Sequence, residues 1–175
     1  MTRRSGVMIG AGVAAGAVVL AGALVGRDRI WELAAGPADL GPVDFRSLEP
    51  DPWPNHYLVC PADLCPSDAV RADPPEFPVS AARLIELVDG IAVTEPRTER
   101  VDDGSRPLQA RYVVRSRRMR FPDTVSVEAV PLGSDRSTIA VYSRAQFGRD
   151  DFGVNEKRVE RWLMRLQERA RARDG

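Results

Sequence analysis

Hydrophobic residues follow three patterns along the chain, and each pattern predicts a different kind of structure. Residues 6–26 hold no charged side chain over 21 positions, and a helix of that length, about 31 Å, would span the hydrocarbon core of a membrane. Residues 31–78 contain so many prolines that no helical or strand period survives. From residue 79 onward, helical spacing gives way to strand alternation and then returns.

Two segments of this last region have the spacing of amphipathic helices. Ser80 is a residue type that often caps helix N-termini, and Gly90 is a residue type that often ends helices, so we expect the first helix between them. Asn155 is the predicted cap of the second helix. The predicted apolar stripes are Leu84, Leu87, Val88 and Ile91 in the first helix and Val159, Trp162, Leu163 and Leu166 in the second.

Between these helices, apolar and polar residues alternate as they do in half-buried strands. We expect strands within residues 91–101, 108–116, 124–130 and 138–144, with a hairpin turn at residues 131–137 between the last two. The order helix, four strands, helix predicts an α+β domain of two layers, in which two helices cover one face of an antiparallel sheet of about four strands. The predicted organisation is a signal anchor or signal peptide with its flanks at 1–29, a proline-rich tether at 30–51, the α+β domain at 52–170 and a charged tail at 171–175.

The flanks of the apolar segment predict its orientation. Arg3 and Arg4 precede it, and these charges together with the amino group favour a cytoplasmic N-terminus. The rest of the chain would then be extracytoplasmic, tethered to the membrane through residues 6–26. A cleaved signal peptide is the alternative, with residues 21–23 as the cleavage site, and it would leave a secreted or periplasmic protein.

Composition excludes some partners. The chain has 25 basic and 25 acidic residues and only 6% aromatic residues, so neither a general polyanion-binding surface nor a stacking surface for nucleic acid is expected. Gly10, Gly12 and Gly16 imitate a dinucleotide-binding loop, but no strand precedes them and no βαβ unit follows. We therefore expect no nucleic acid partner and no cofactor.

The only two cysteines, Cys60 and Cys65, lie close to the only histidine, His56. Extracytoplasmic compartments favour disulfides, and we expect these cysteines to form one. Free thiols are one alternative. A metal site with His56 and Asp63 is the other, although structural zinc sites usually have four Cys or His ligands at tighter spacing.

A set of polar residues clusters at the predicted strand ends and could lie at one edge of the sheet. An arginine pair beside hydroxyls and a helix N-terminus could bind a phosphate or a carboxylate. Alternatively, the aspartates lock the arginines into a structural network. The candidate residues are Arg115, Ser116, Asp123, Ser143, Arg144, Asp151 and Asn155.

The segments "RYVVRSRRMRFPDTVSV" and "VYSRAQFGRDDFGVNEKRVERWL" resemble the DUF1499 family, a domain family of unknown function. The resemblance covers about Pro52 to Leu166 and includes Pro54 and Asn55 near its start. Family members often have Ser-Arg-Ser-Arg where this chain has Ser-Arg-Ala-Gln at residues 143–146, so a shared role for that strand end does not carry over. The resemblance implies the domain and an exported or membrane-anchored setting, and it implies no activity.

The expected function is that of a non-enzymatic binding or accessory module at the cell envelope, whose partner is an envelope protein or an anionic or lipidic ligand. The alternative is a small hydrolase or transferase that uses the cluster of arginine, serine and aspartate at the sheet edge, with His56 or Asp123 as base. A pocket lined by Arg115, Arg144 and Asp123 would favour the enzyme, whereas burial of these residues as mutual pairs would argue against it.

Overall fold

The computed structural model describes residues 26–50, 52–66, 68 and 70–172. The chain divides into two compact units, one that ends at Pro37 and one that begins at Ala38. In the first unit, residues 26–35 are helical. Apart from Gly26, the apolar segment predicted to cross the membrane lies outside the described residues. Within the described ranges, no helix is both long enough and apolar enough to span a membrane.

The second unit is built on a five-stranded antiparallel sheet, where the sequence predicted about four strands. The strands are β1 (His56–Val59), β2 (Thr98–Arg100), β3 (Gln109–Arg115), β4 (Pro122–Pro131) and β5 (Ser137–Ala145). Their order across the sheet is β1-β5-β4-β3-β2. Strands β2 to β5 therefore form a meander, and β1 pairs with the last strand from far away in the sequence. β1 is the strand that was not predicted.

Two helices, α1 (Ala81–Ala92) and α2 (Val154–Arg171), cover one face of the sheet. The Ser80 hydroxyl accepts the backbone N–H of Arg83 at 3.3 Å, which confirms the predicted cap of α1. The prediction that Gly90 ends α1 is wrong, because the helix continues to Ala92. A Cβ at Gly90 would lie 2.8 Å from the Nη1 atom of Arg169, so the glycine makes room for a side chain of α2.

The main core lies between these helices and the sheet face that they cover. The predicted inward faces are confirmed, because the inward residues of β3, β4 and β5 are buried together with the apolar stripes of both helices. The strands are not half-buried as expected, since most residues on the second face of β4 and β5 are buried too. The inward set on the strands consists of Ala110, Tyr112, Val114, Val125, Val127, Ala129, Ile139 and Val141.

The second face of the sheet is also partly covered. Residues 38–48, which we call the strap, lie across it and bury Phe45 and Leu48 in a smaller apolar cluster with Leu58 and Tyr142. This segment belongs to the predicted tether, but in the structure it is part of the second compact unit. Polar contacts hold the strap to the sheet. The backbone N–H of Leu40, for example, donates to the Thr124 hydroxyl at 3.1 Å.

Candidate functional site

A buried polar network closes one end of the main core. Arg158 on α2 is its centre: its Nη2 atom donates to the Asp123 carboxylate at 2.6 Å, and its Nη1 atom donates to the Ser143 hydroxyl at 2.9 Å. The same Nη1 atom donates to the side-chain oxygen of Asn155, and the Ser143 hydroxyl donates to that oxygen at 2.6 Å. Strands β4 and β5 and helix α2 therefore meet through four side chains that hydrogen bond one another.

These four side chains are shielded from solvent. Ser143 and Asn155 are 0% exposed, Arg158 is 6% exposed and Asp123 is 8% exposed. Burial raises the pKa of Asp123 above its ordinary value, although the guanidinium of Arg158 acts in the opposite direction. The network thus holds a carboxylate and a guanidinium in a place where either one alone would be strongly destabilising.

The network extends to the chain segment before β1. The Asn155 amide donates to the backbone oxygen of Asn55 at 3.1 Å, and the Asn55 amide donates to the backbone oxygen of Gly148 at 2.7 Å. The backbone oxygen of Asn55 also accepts the N–H of Ala145. Asn55 therefore fixes the approach of β1 to the end of β5.

Asn155 does not cap α2, contrary to the prediction. Gly153 is the N-cap residue, with a left-handed backbone at φ 73° that suits glycine. The Asp151 carboxylate accepts the backbone N–H of Gly153 at 3.0 Å and that of Asn155 at 2.7 Å. Asp151 therefore supplies the acceptor and the negative charge that favour a helix N-terminus, and the Asn155 side chain is left for the buried network.

Two of the remaining candidate residues make side-chain hydrogen bonds outside the network. Ser116 closes a turn after β3, where its hydroxyl accepts the backbone N–H of Phe121 at 3.0 Å. Arg144 donates to the backbone oxygen of Leu40 in the strap at 3.0 Å. Arg115 lies in register with Pro122 on the neighbouring strand. Because successive strand residues point to opposite faces, Arg144 and Ser143 lie on opposite sides of the sheet, and the predicted single cluster is divided between two faces.

Sequence reasoning missed Arg158 and Asn55. A signal for Arg158 exists, since it lies three residues after Asn155 and four residues before Trp162, on the buried stripe of α2. Asn55 leaves no such periodic signal, because it lies in the proline-rich segment.

The structure joins Cys60 and Cys65, with their sulfur atoms 1.98 Å apart. Both residues are buried in the apolar cluster under the strap, so the disulfide shapes the loop after β1. In the described ranges, no group of three or more potential ligands is placed to hold a metal ion. The structure therefore favours the disulfide over the free thiols and over the metal site.

A groove of about 340 Å³ lies on the second face, between the strap and the loop that joins β2 to β3. Its wall on the strap side includes Pro42 and Val43, and Ser126 and Arg111 contribute from neighbouring strands. Ser126 is 6% exposed, and no hydrogen bond of its hydroxyl is found among the described residues. A hydroxyl that lines a groove and has no partner among the described residues can bind a polar ligand group.

Most charged side chains that line the groove already form hydrogen bonds within the protein. Arg111 donates two hydrogen bonds to Asp39 in the strap, at 2.7 and 2.9 Å. Although burial of Asp102 has the opposite effect, hydrogen bonds from Arg100 and from the backbone N–H groups of Arg111 and Gly104 lower the pKa of Asp102 to about 2. The groove lining contains two aspartates and two arginines, so it carries no formal net charge.

The fold and its polar network define a small α+β domain. The polar side chains near the start of α2 hydrogen bond one another and are shielded from solvent. The model of the DUF1499 family, described as proteins of unknown function, matches residues 49–166, and the chain belongs to this family. The resemblance to DUF1499 that the sequence showed is thereby confirmed. No curated protein and no solved structure matches the chain.

Proposed function

We propose that the chain is a non-enzymatic binding module, anchored in a membrane by residues 6–26 and acting on its extracytoplasmic side. Its ligand site is the groove under the strap, and its ligand is a small uncharged molecule with a hydroxyl or amide group beside an apolar surface. The observation that carries the proposal is the hydroxyl of Ser126, which lines that groove and has no hydrogen-bond partner among the described residues.

The polar network near the start of α2 argues against the hydrolase or transferase alternative. A nucleophile or a base must reach a substrate, with space for the reacting group about 3 Å away. Ser143 and Asp123 instead hydrogen bond within the network and are almost fully buried. We infer that the network is a lock that fixes α2 against the sheet.

The groove has the features that the network lacks. Its volume of about 340 Å³ is within the range that small ligands occupy. Apolar surface from Val43 and Pro42 faces hydrogen-bonding groups on β3 and β4. Since its aspartates and arginines balance and Arg111 is already paired, an uncharged ligand suits it better than an anion.

Two sequence features support the extracytoplasmic setting. The apolar segment follows Arg3 and Arg4, which favour a cytoplasmic N-terminus. The Cys60–Cys65 disulfide is of a kind that persists in oxidising compartments and is rare in the cytosol.

Native mass spectrometry tests the groove. The full chain is purified from membranes in mild detergent, and its native mass is compared with its denatured mass. We expect a small-molecule adduct that denaturation releases. The variant Ser126→Leu fills the groove and should lose the adduct, whereas Ser134→Leu, on the exposed hairpin turn, should keep it. An adduct that survives in Ser126→Leu, or a wild-type chain without any adduct, contradicts the proposal.

A further inference from the structure

The loops at one end of the sheet form a single surface, which we call the loop end. It comprises residues 52–54 before β1, residues 116–121 between β3 and β4, and residues 147–153 between β5 and α2. Contacts join the three loops: the rings of Phe121 and Phe147 lie 5.3 Å apart, and the guanidinium of Arg149 lies 4.3 Å from the ring centre of Trp53. The loop end is distinct from the groove, which lies under the strap on the second sheet face.

Large apolar side chains are exposed on the loop end. Phe152 is 85% exposed, Met119 is 52% exposed and Trp53 is 43% exposed. Single exposed apolar residues are common on protein surfaces, but a group of large ones at one end indicates a binding surface.

Phe152 is held in its exposed position by its loop. Its backbone is left-handed at φ 55°, a conformation that bulky residues rarely adopt. The Asp150 carboxylate accepts the N–H of Phe152 at 2.8 Å, and Asp151 accepts the N–H of Gly153. Two aspartates thus fix the turn that presents the phenyl ring to solvent, and such fixed unfavourable geometry is typical of functional loops.

The exposed charge of the loop end is mainly positive. Arg117, Arg118 and Arg149 are exposed. The nearby carboxylates of Asp150 and Asp151 each accept backbone N–H groups of the loop, so part of their charge is used locally. Arginines beside exposed aromatic rings complement a surface that is negatively charged outside and apolar beneath.

We propose that the loop end docks on an anionic lipid surface. Aromatic side chains such as Trp53 and Phe152 prefer the boundary between headgroups and acyl chains, where the apolar ring is buried and polar groups stay hydrated. Arginines near an anionic leaflet add to this attraction and are released by salt. The proposal does not depend on the groove, and its failure would leave the proposed function standing.

Photo-crosslinking of the full chain in nanodiscs tests this proposal. One set of nanodiscs contains phosphatidylcholine alone, the other also contains phosphatidylglycerol, and both carry a photoactivatable lipid. Crosslinked peptides are mapped by mass spectrometry. We expect crosslinks on residues 52–54, 116–121 and 147–153 in the anionic discs, and few on residues 132–136, the hairpin turn at the opposite end of the sheet. Anchoring by residues 6–26 alone would not make crosslinks at the loop end more frequent than crosslinks at the hairpin turn.

Variants measure the contributions of charge and aromatic surface. Removing one arginine from an anionic surface lowers binding about fivefold, so Arg117→Gln with Arg118→Gln should lower the loop-end crosslinks about 25-fold. Phe152→Ser should lower them about tenfold. The control Arg136→Gln, at the hairpin end, should change nothing, and the unfolding midpoints of the variants should match that of the wild type.

Equal crosslinking at the two ends of the sheet, or equal yields in the two lipid compositions, would overturn the proposal. Native membranes provide a further test. If the loop end crosslinks there to a protein and not to lipid, the surface is a protein interface and the lipid proposal is wrong.

Discussion

Replacing Arg158 by methionine is the strongest perturbation of the buried network. The methionine retains most of the apolar volume but removes the guanidinium that contacts Asp123, Ser143 and Asn155. Asp123, a residue that is 8% exposed, is then left without its ion-pair partner. Breaking a buried ion pair in this way costs about 3–5 kcal/mol, which is a large part of the roughly 5–15 kcal/mol by which domains are stable.

The loss should depend on pH. The folded-state pKa of Asp123 is already raised by burial, and it rises further in Arg158→Met because the opposing guanidinium is gone. When the pKa of a carboxyl is higher in the folded chain than in the unfolded chain, the free energy of unfolding falls as pH rises towards the folded-state pKa. At lower pH the carboxyl is protonated in the folded chain, and this loss of stability is absent. The destabilisation by Arg158→Met should therefore be larger near pH 7 than near pH 4.

Urea unfolding of a fragment that begins at Ala38 measures these effects. It is followed by tryptophan fluorescence, to which the buried Trp162 and the exposed Trp53 contribute. Arg161→Met is the matched control on the same helix. Its ion pair with Glu95 is partly exposed, and its loss should cost about 0.2–1 kcal/mol. Adding Asp123→Asn to Arg158→Met should recover part of the loss, because no unpaired charge remains. If Arg158→Met costs no more than Arg161→Met, the network does not lock α2 and the reasoning is refuted.

Three further predictions concern other parts of the domain. Reduction of the Cys60–Cys65 disulfide, which closes a short ring, should lower the free energy of unfolding by about 2 kcal/mol in urea titrations; no change would show that the loop is held by packing alone. Asp102→Asn should destabilise the domain by about 1–2 kcal/mol near neutral pH. Because the folded-state pKa of Asp102 is lowered to about 2, this difference should shrink as pH falls from about 4 towards that value; a constant difference would contradict it. Burial of Tyr112 and its hydrogen bond to Asp89 raise its pKa above 10.0, so wild-type stability should fall as pH rises beyond that value. The fall should be weaker in Tyr112→Phe, and equal slopes would show that Tyr112 does not carry the effect.

Most of the α+β architecture could be predicted from local patterns. Strands β3, β4 and β5 are seven or more residues long, and both helices have continuous apolar stripes, so each pattern was sufficient on its own. β1 could not be found in this way. It has four residues in a proline-rich segment and is stabilised by pairing with β5, more than eighty residues later.

The candidate site was predicted only in part, for two physical reasons. Strand alternation places Arg144 and Ser143 on opposite faces of the sheet, although the two residues are neighbours in the sequence. The arginine that does complete the network, Arg158, comes from a helix, where a charged residue next to the apolar stripe gives no sign that it is buried. The groove could not be predicted, because it depends on how the strap crosses the sheet.

Protease accessibility shows on which side of the membrane the domain from Ala38 onward lies, and we propose that it lies on the extracytoplasmic side. Sealed spheroplasts of a bacterial host that express the full chain with a C-terminal epitope are treated with a protease that cannot cross the membrane. We expect the epitope to be lost from intact spheroplasts while a cytoplasmic marker protein survives. An epitope that is protected until the membrane is lysed would place the domain inside the cell and show that the proposed extracytoplasmic setting is wrong.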